Sequence, residues 1–315
     1  MKRFIFLVHP LSEAHRKIMA LRCRFWRSLH SGHYGKKEIA ALCRFRFRED
    51  IEGIVMSIPL IPDEMIEDQD RALEYLQHAY RLAVSQFGPV DVVGLGSLCS
   101  VVASRGLALQ EKIPVPVTTG NAATAWCLYQ HVIQTKTQER IAVLGSLSAV
   151  GMVSASLLME KGYNISLDKK RAGKKLGLPF GSPEEIVKGA SIVVGCGPTG
   201  PSLDASALDE NSIVFDVALP QTLRGYTENM VYQGEGMSMP PNWHRGFWGP
   251  LYHVISGYGW NTLLACVVEP LALVSSNRDQ PYALGSRINP QAVLDFGKEA
   301  MGMGFNPKLI LHQKG

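Results

Sequence analysis

Residues 140–151 read Arg-Ile-Ala-Val-Leu-Gly-Ser-Leu-Ser-Ala-Val-Gly, and this stretch constrains the fold most strongly. A short apolar run, Ile141 to Leu144, ends at Gly145. A small polar turn follows, and a helical pattern then runs from about Val150 to Lys161. The pattern predicts a buried strand, a tight turn and a helix N-terminus. Such a turn offers backbone N–H groups and the positive end of a helix dipole to a phosphate. A full dinucleotide fingerprint has glycine at three positions. Here Gly145 and Gly151 hold the outer two and Ser148 the middle one, a residue small enough for a pyrophosphate to approach. Gly145, Ser146, Ser148 and Gly151 are therefore candidate cofactor-binding residues. The plainer alternative is a strand-to-helix turn of any α/β protein.

The following units keep the same rhythm. A second strand, Asn164–Leu167, runs into Asp168-Lys169-Lys170-Arg171. In a dinucleotide fold an acid about 20 residues past the glycines favours a free ribose 2′-hydroxyl, and nearby cations favour a 2′-phosphate. Three consecutive cations, with Lys174 and Lys175 behind them, tilt the expectation to NADPH. A solvated basic loop is the alternative for each lysine. Ser182-Pro183 opens a short helix over Glu184–Lys188. The strand Ser191–Val194 runs into Gly195-Cys-Gly197-Pro-Thr-Gly200, and Ile213–Phe215 runs into Asp216-Val-Ala-Leu-Pro220. Glycine-rich turns at the carboxyl ends of strands bind ligands in open parallel sheets, which adds Gly197 to the cofactor candidates. Residues 136–235 read as a doubly wound, Rossmann-like domain.

A chain of 315 residues supports two domains with proper cores. No apolar run reaches the roughly 18 residues of a membrane span. Met1-Lys-Arg-Phe-Ile-Phe-Leu-Val reads as a first buried strand rather than a signal peptide. The six cysteines show no CxxC pair or metal spacing, so reduced thiols, no metal and a cytoplasmic location are expected. Residues 1–50 hold 12 of the 32 Lys/Arg and only 4 of the 28 Asp/Glu. The segment Arg22-Cys-Arg24-Phe-Trp-Arg27 and the alternation Arg44-Phe-Arg46-Phe-Arg48 concentrate this excess, the second as a strand with one charged and one apolar face. Such a face suits an acidic carrier protein or a coenzyme phosphate, or is simply solvated. No nucleic-acid-binding motif accompanies it.

The first half is itself α/β. Residues 63–87 form an amphipathic helix, Val90–Leu95 a strand, Gly96–Ser100 a turn and Pro114–Val117 an extended segment. Thr118-Thr119-Gly120-Asn121 then opens a helix from Ala122 to Ile133. Its N–H groups either hold an oxyanion or are simply capped. Residues 237–262 carry Trp243, Trp248 and Trp260, which line an apolar channel or fill a domain interface. The apolar helical run Leu263–Leu273 contains Cys266, with Glu269 one turn later and Pro270 expected to bend or interrupt it. Taken alone, Cys266 reads as a buried core thiol. A last helix spans Pro290 to Met301. The expected organisation is a substrate- or acyl-binding α/β domain over 1–135, the nucleotide domain over 136–235, and an aromatic-rich segment with C-terminal helices over 236–315 packing back on the first domain.

Val8-His9-Pro-Leu-Ser12, Ile58–Met65, Thr118–Asn121, Ile141–Gly151, Ala265-Cys266-Val-Val-Glu269 and Gly302–Pro307 together carry a resemblance that covers most of the chain. The chain resembles the cyanobacterial-type long-chain acyl-(acyl carrier protein) reductases. The resemblance implies that Cys266 takes an acyl group from an acyl carrier protein or acyl-CoA and that NADPH reduces the thioester to an aldehyde. Thr119 and Asn121 would then stabilise the oxyanion, Glu269 would sit beside the nucleophile, and His9 or His253 would move the proton. This sequence departs from the family at Ser148, at Ala122-Ala123, where the family's histidine is missing, and at Pro270. Two other readings stay open. One is an NAD(P)-dependent dehydrogenase of a small hydroxy- or amino-acid without covalent catalysis. The other is a non-catalytic nucleotide- or acyl-binding protein.

Overall fold

A computed structural model describes residues 1–17, 39–135, 140–197, 200, 202–218, 221–225, 230–233, 235–241, 243–245 and 261–311. Arg22–Arg27, Trp248, His253 and Trp260 lie outside them. The described residues gather into two compact units, 1–120 with 239–285, and 121–238 with 286–315. This division departs from the expected boundaries. The helix Asn121–Gln134 joins the second unit rather than the first, and so does the last helix. The physical reason is Trp126, whose ring meets Phe296 edge-on with centroids 5.9 Å apart, both residues being buried.

Unit 1 is built on β1 (Lys2–Val8), β2 (Ala40–Phe47), β3 (Ile51–Ser57), α1 (Pro62–Glu67), α2 (Gln69–Phe87), β4 (Val92–Leu95) and β5 (Val117–Thr118). Phe4, Ile5, Phe6 and Leu7 are all buried. A continuous apolar run suits β1, which lies between the parallel neighbours β3 and β4 and is covered on both faces. Each fully buried large side chain contributes about 1.5–3 kcal/mol of hydrophobic stabilisation. β2 shows the expected alternation, with Phe45 and Phe47 buried and Arg44, Arg46 and Arg48 exposed. Arg44 and Arg3 reach the buried Glu52 at 2.9 Å and 2.8 Å. Burial raises the Glu52 carboxyl, but these two cations outweigh it and hold the group below the usual carboxylate range.

The single helix expected over 63–87 is two helices, because the Asp68 carboxylate accepts the Arg71 N–H at 2.9 Å and caps a new start. The buried face of α2 is the expected one: Ala72, Leu76, Ala79, Leu82 and Ala83. The sheet runs (Trp243–Arg245)-β2-β3-β1-β4-β5. From β1 the chain goes to one side, through β2 and β3, and then crosses to β4 on the other. The crevice beside the carboxyl ends of β1 and β4 is therefore a topological switch point, where open α/β sheets bind ligands. Trp243 packs on Phe45 and Phe47, with centroids 5.1 Å and 6.0 Å away, so this tryptophan fills the sheet edge. Beyond β4, Ala103, Ser104 and Arg105 adopt φ of +52°, +55° and +56°, a left-handed turn in non-glycine residues. Each costs about 1–2 kcal/mol. The Gly285 N–H donates to the Arg105 carbonyl at 3.0 Å and helps hold the turn.

Unit 2 contains α3 (Asn121–Gln134), β6 (Ile141–Leu144), α4 (Ala149–Glu160), β7 (Ile165–Leu167), α5 (Lys170–Leu176), α6 (Pro183–Val187), β8 (Ile192–Gly195), β9 (Ile213–Asp216) and β10 (Met230–Gln233). The sheet order is (Ile310–Leu311)-β10-β9-β8-β6-β7, parallel except for the Ile310–Leu311 edge. This is the doubly wound α/β arrangement expected, with its switch point between β6 and β8. α6 begins with a capping box, Ser182 accepting the Glu185 N–H and Glu185 accepting the Ser182 N–H. Among the described residues no helix is long and apolar enough to cross a membrane.

Candidate functional site

β6 ends at Gly145, whose φ is +72°. A Cβ there would lie 2.5 Å from the Gly197 Cα, so only glycine lets the loop after β6 lie against the loop after β8. The Ser148 hydroxyl accepts the Gly151 N–H at 2.9 Å and caps α4. Gly151 closes the turn: a Cβ on it would stand 2.7 Å from the Gly145 carbonyl oxygen. The first intrahelical bond runs from the Met152 N–H to the Ser148 carbonyl. The N–H groups of Ala149 and Val150 precede it, at the positive end of a 12-residue helix. These features fit the pyrophosphate of a dinucleotide, with glycine wherever a Cβ would fill the cradle.

Three expected contacts are corrected by this geometry. The Asp168 carboxylate does not stand open for a ribose. It accepts the Gly145 N–H at 3.0 Å, the Ser146 N–H at 2.9 Å and the Ser146 hydroxyl at 2.6 Å, with the Lys169 ammonium at 3.5 Å. A carboxylate has about four acceptor sites, and three of them are taken by donors of the loop after β6. Ser146 is thereby tied to Asp168, and its polar groups brace the loop. The Gly197 N–H donates to the Thr222 hydroxyl at 2.9 Å, so Gly197 contributes its small size and not a donor. Asp216, at the end of β9, accepts the N–H groups of Ala218, Thr222 and Leu223 at 3.1, 2.8 and 3.2 Å and fixes the next loop. Lys170 and Arg171 are exposed beside Asp168, and the Lys169 side chain is about half exposed at 48%.

In unit 1 the structure brings Thr118, Thr119, Gly120, Cys266 and Glu269 together. The apolar run after Asn261 begins as a strand, Thr262–Leu264, and becomes the helix α7 (Ala265–Ser276). Cys266 is in its first turn and partly exposed. A Cβ on Gly120 (φ +72°) would lie 2.7 Å from the Cys266 Cα, so glycine is required for this approach. Of the two effects expected of Pro270, a bend or an interruption, α7 shows no interruption, although Pro270 has no N–H to give the Cys266 carbonyl. Glu269 is fully buried and accepts the Thr118 hydroxyl. Thr119 is not an oxyanion donor as expected. Its N–H and hydroxyl both go to the Ala283 carbonyl, at 3.0 Å and 3.2 Å. Asn121 is the first residue of α3.

His9, just past β1, is 4% exposed. Its Nε2 meets the Leu98 N–H and the Ser97 hydroxyl, each at 3.2 Å, and its Nδ1 meets the Pro10 carbonyl at 3.0 Å. Burial lowers its pKa below the usual histidine value, and a hydrogen bond to Pro10 only partly offsets this. Ser97, Asp216, Thr222 and the buried Glu235 escaped sequence reasoning. A glycine directly after a strand, at Gly96-Ser97, was the available signal for the first. Among the described residues no cluster of three or more His, Cys, Asp or Glu is arranged for a metal.

No family model matches the chain. A curated relative, the aminotransferase PigE of Serratia sp. (strain ATCC 39006), is 26% identical over 342 aligned residues that cover 96% of this chain. The chain spans about two fifths of that relative's length, 39%. Among solved structures, the L-tryptophan dehydrogenase of Nostoc punctiforme is 12% identical with a TM-score of 0.38, covering 96% of this chain and 88% of the other. The D-lactate dehydrogenase of Salmonella is 8% identical with a TM-score of 0.29, covering 71% and 73%. The curated relative is named an aminotransferase, which overturns the expected membership in the acyl-(acyl carrier protein) reductases. The matched blocks are helix starts, a strand-to-helix turn and a C-terminal tail, short features that serve many α/β chains. Any role of Cys266 then rests on its own geometry.

Proposed function

We propose that this chain is an NAD(P)-dependent oxidoreductase, with the dinucleotide held by unit 2 and a small hydroxy- or amino-acid, or the matching carbonyl compound, held by unit 1. The observation that carries the reading is the β6/β8 crevice, where Gly145 lies against Gly197 below the N-terminus of α4. A nicotinamide bound there supplies or accepts a hydride. Ala149 and Val150 hold the pyrophosphate, Asp168 and Ser146 keep the loop rigid, and Lys169, Lys170 and Arg171 receive a 2′-phosphate. Because three of the Asp168 acceptor sites are used within the loop, that carboxylate is committed to the loop rather than to a free 2′-hydroxyl, which supports NADPH over NADH.

The test is a fluorescence titration with both reduced cofactors. NADPH is expected to bind at least about tenfold more tightly than NADH, a difference of about 1.4 kcal/mol. Replacing Lys169, Lys170 and Arg171 together with alanine is expected to abolish that preference and leave NADH binding unchanged. Equal affinities in the wild type would refute the assignment of the 2′-phosphate to these cations.

A second reading makes Cys266 an acyl acceptor ahead of reduction. One observation favours it: Cys266 is a partly exposed residue in the first turn of α7, at the positive end of the helix dipole. The exposed arginines of β2 would then meet an acidic carrier or a coenzyme phosphate. Alkylation of Cys266 decides between the readings, since it spares turnover of a hydroxy- or amino-acid and blocks acyl transfer.

A further inference from the structure

Neither proposed reading uses Ser97, whose hydroxyl stands 3.2 Å from the His9 Nε2. Parallel pairing of Leu7 with Leu95 carries the next residues of β1 and β4 forward side by side, so that His9 comes opposite Ser97 at the switch point. The Leu98 amide can only donate, so Nε2 carries the lone pair and Nδ1 carries the proton that it donates to Pro10. The tautomer is thus fixed by two backbone groups, and the single Nε2 lone pair is shared between the Leu98 N–H and the Ser97 hydroxyl, each at 3.2 Å. Ser97 is partly exposed while His9 behind it is buried. Its φ of +49° is one that glycine adopts more cheaply, on a strand-to-helix turn. Such strain concentrates at functional sites. Gly96 allows the turn, since a Cβ there would stand 2.6 Å from the Phe6 ring.

We propose that Ser97 is a base-activated nucleophile, with His9 as its general base, at a reactive site for an activated acyl group. The Ser97 Oγ forms a bond to the acyl carbon, and its proton passes to the His9 Nε2, which gives up the hydrogen bond from the Leu98 N–H as it is protonated. The bond from the acyl carbon to the leaving group then breaks, and the leaving group takes that proton. The site lies within unit 1 and uses none of the residues assigned to the dinucleotide.

The test uses the full chain and a fluorophosphonate probe, in which the P–F bond breaks, fluoride leaves and an Oγ–P bond forms. Peptide mass spectrometry is expected to place the adduct on Ser97 and to find none in Ser97→Ala. The wild-type labelling rate is expected to level off at a pH below 6.5, the ordinary histidine value from which burial lowers His9. His9→Gln is expected to slow labelling at least about 100-fold. Absence of a Ser97 adduct would overturn the proposal. So would a wild-type rate that keeps climbing from pH 7 to 9, as a hydroxyl without a base requires, or an unchanged rate in folded His9→Gln. The wild-type profile decides alone if that variant does not fold.

Discussion

Gly145→Ala is expected to abolish NADPH binding and to destabilise unit 2 by about 2–5 kcal/mol. Two costs combine. The backbone stands at φ +72°, where an alanine costs about 1–2 kcal/mol. The added methyl would also lie 2.5 Å from the Gly197 Cα and 2.6 Å from the Cys196 carbonyl carbon. Both are backbone atoms, which cannot rotate aside as a side chain can, and overpacking of this kind costs about 1–3 kcal/mol. Relief would require the two loops to part, which opens the crevice. Urea unfolding and NADPH titration of the variant measure the two effects. Wild-type stability together with wild-type affinity would show that the loops are not in contact.

Glu235→Gln is expected to stabilise the protein strongly at alkaline pH and hardly at all in mild acid. Burial pushes the Glu235 carboxyl up to about 8, and the hydrogen bond from Thr124 lowers it only in part. The ordinary value is 4.5, so between pH 4.5 and 8 the folded state binds the proton that the unfolded state has lost. Stability therefore falls as pH rises through that window, by up to about 3–5 kcal/mol in all. Gln cannot titrate, and its amide oxygen still accepts the Thr124 hydroxyl. The variant should exceed the wild type by about 2–4 kcal/mol at pH 8.5 and match it within about 1 kcal/mol at pH 5. His131 acts with the opposite sign. Burial lowers it to about 4 from 6.5, so its contribution to stability grows as pH rises from 4 to 6.5. The two slopes oppose each other between pH 4.5 and 6.5, and the alkaline loss is left to Glu235. Denaturant melts of both proteins at a series of pH values read this out, and parallel curves would contradict it.

What the sequence reveals here is local. The strand, turn and cap over Ile141–Gly151 were legible because each depends on neighbours in the chain: an apolar run, a glycine at positive φ, and a serine bonded to the N–H three residues on. The amphipathic stripe of α2 and the two faces of β2 were legible for the same reason. Contacts between distant residues were not. Asp168 follows its strand as a ribose reader would, but its carboxylate meets N–H groups 22 and 23 residues away. Thr119 looked like an oxyanion donor until Ala283, 164 residues later, took its hydroxyl. His9 carried no sign of Ser97, 88 positions on, because strand order and not spacing sets them side by side. The boundary of unit 1 misled for a related reason. The polar stretch 135–139 resembles a linker, yet α3 before it is held by the ring contact between Trp126 and Phe296.

The most direct test of the central claim is hydrogen exchange on the wild-type protein with and without saturating NADPH. Slowed exchange is expected at the amides of residues 145–151, with Ala149 and Val150 most protected, and little change at residues 118–120. Protection confined to other segments, or no binding of NADPH or NADH at millimolar concentration, would contradict it.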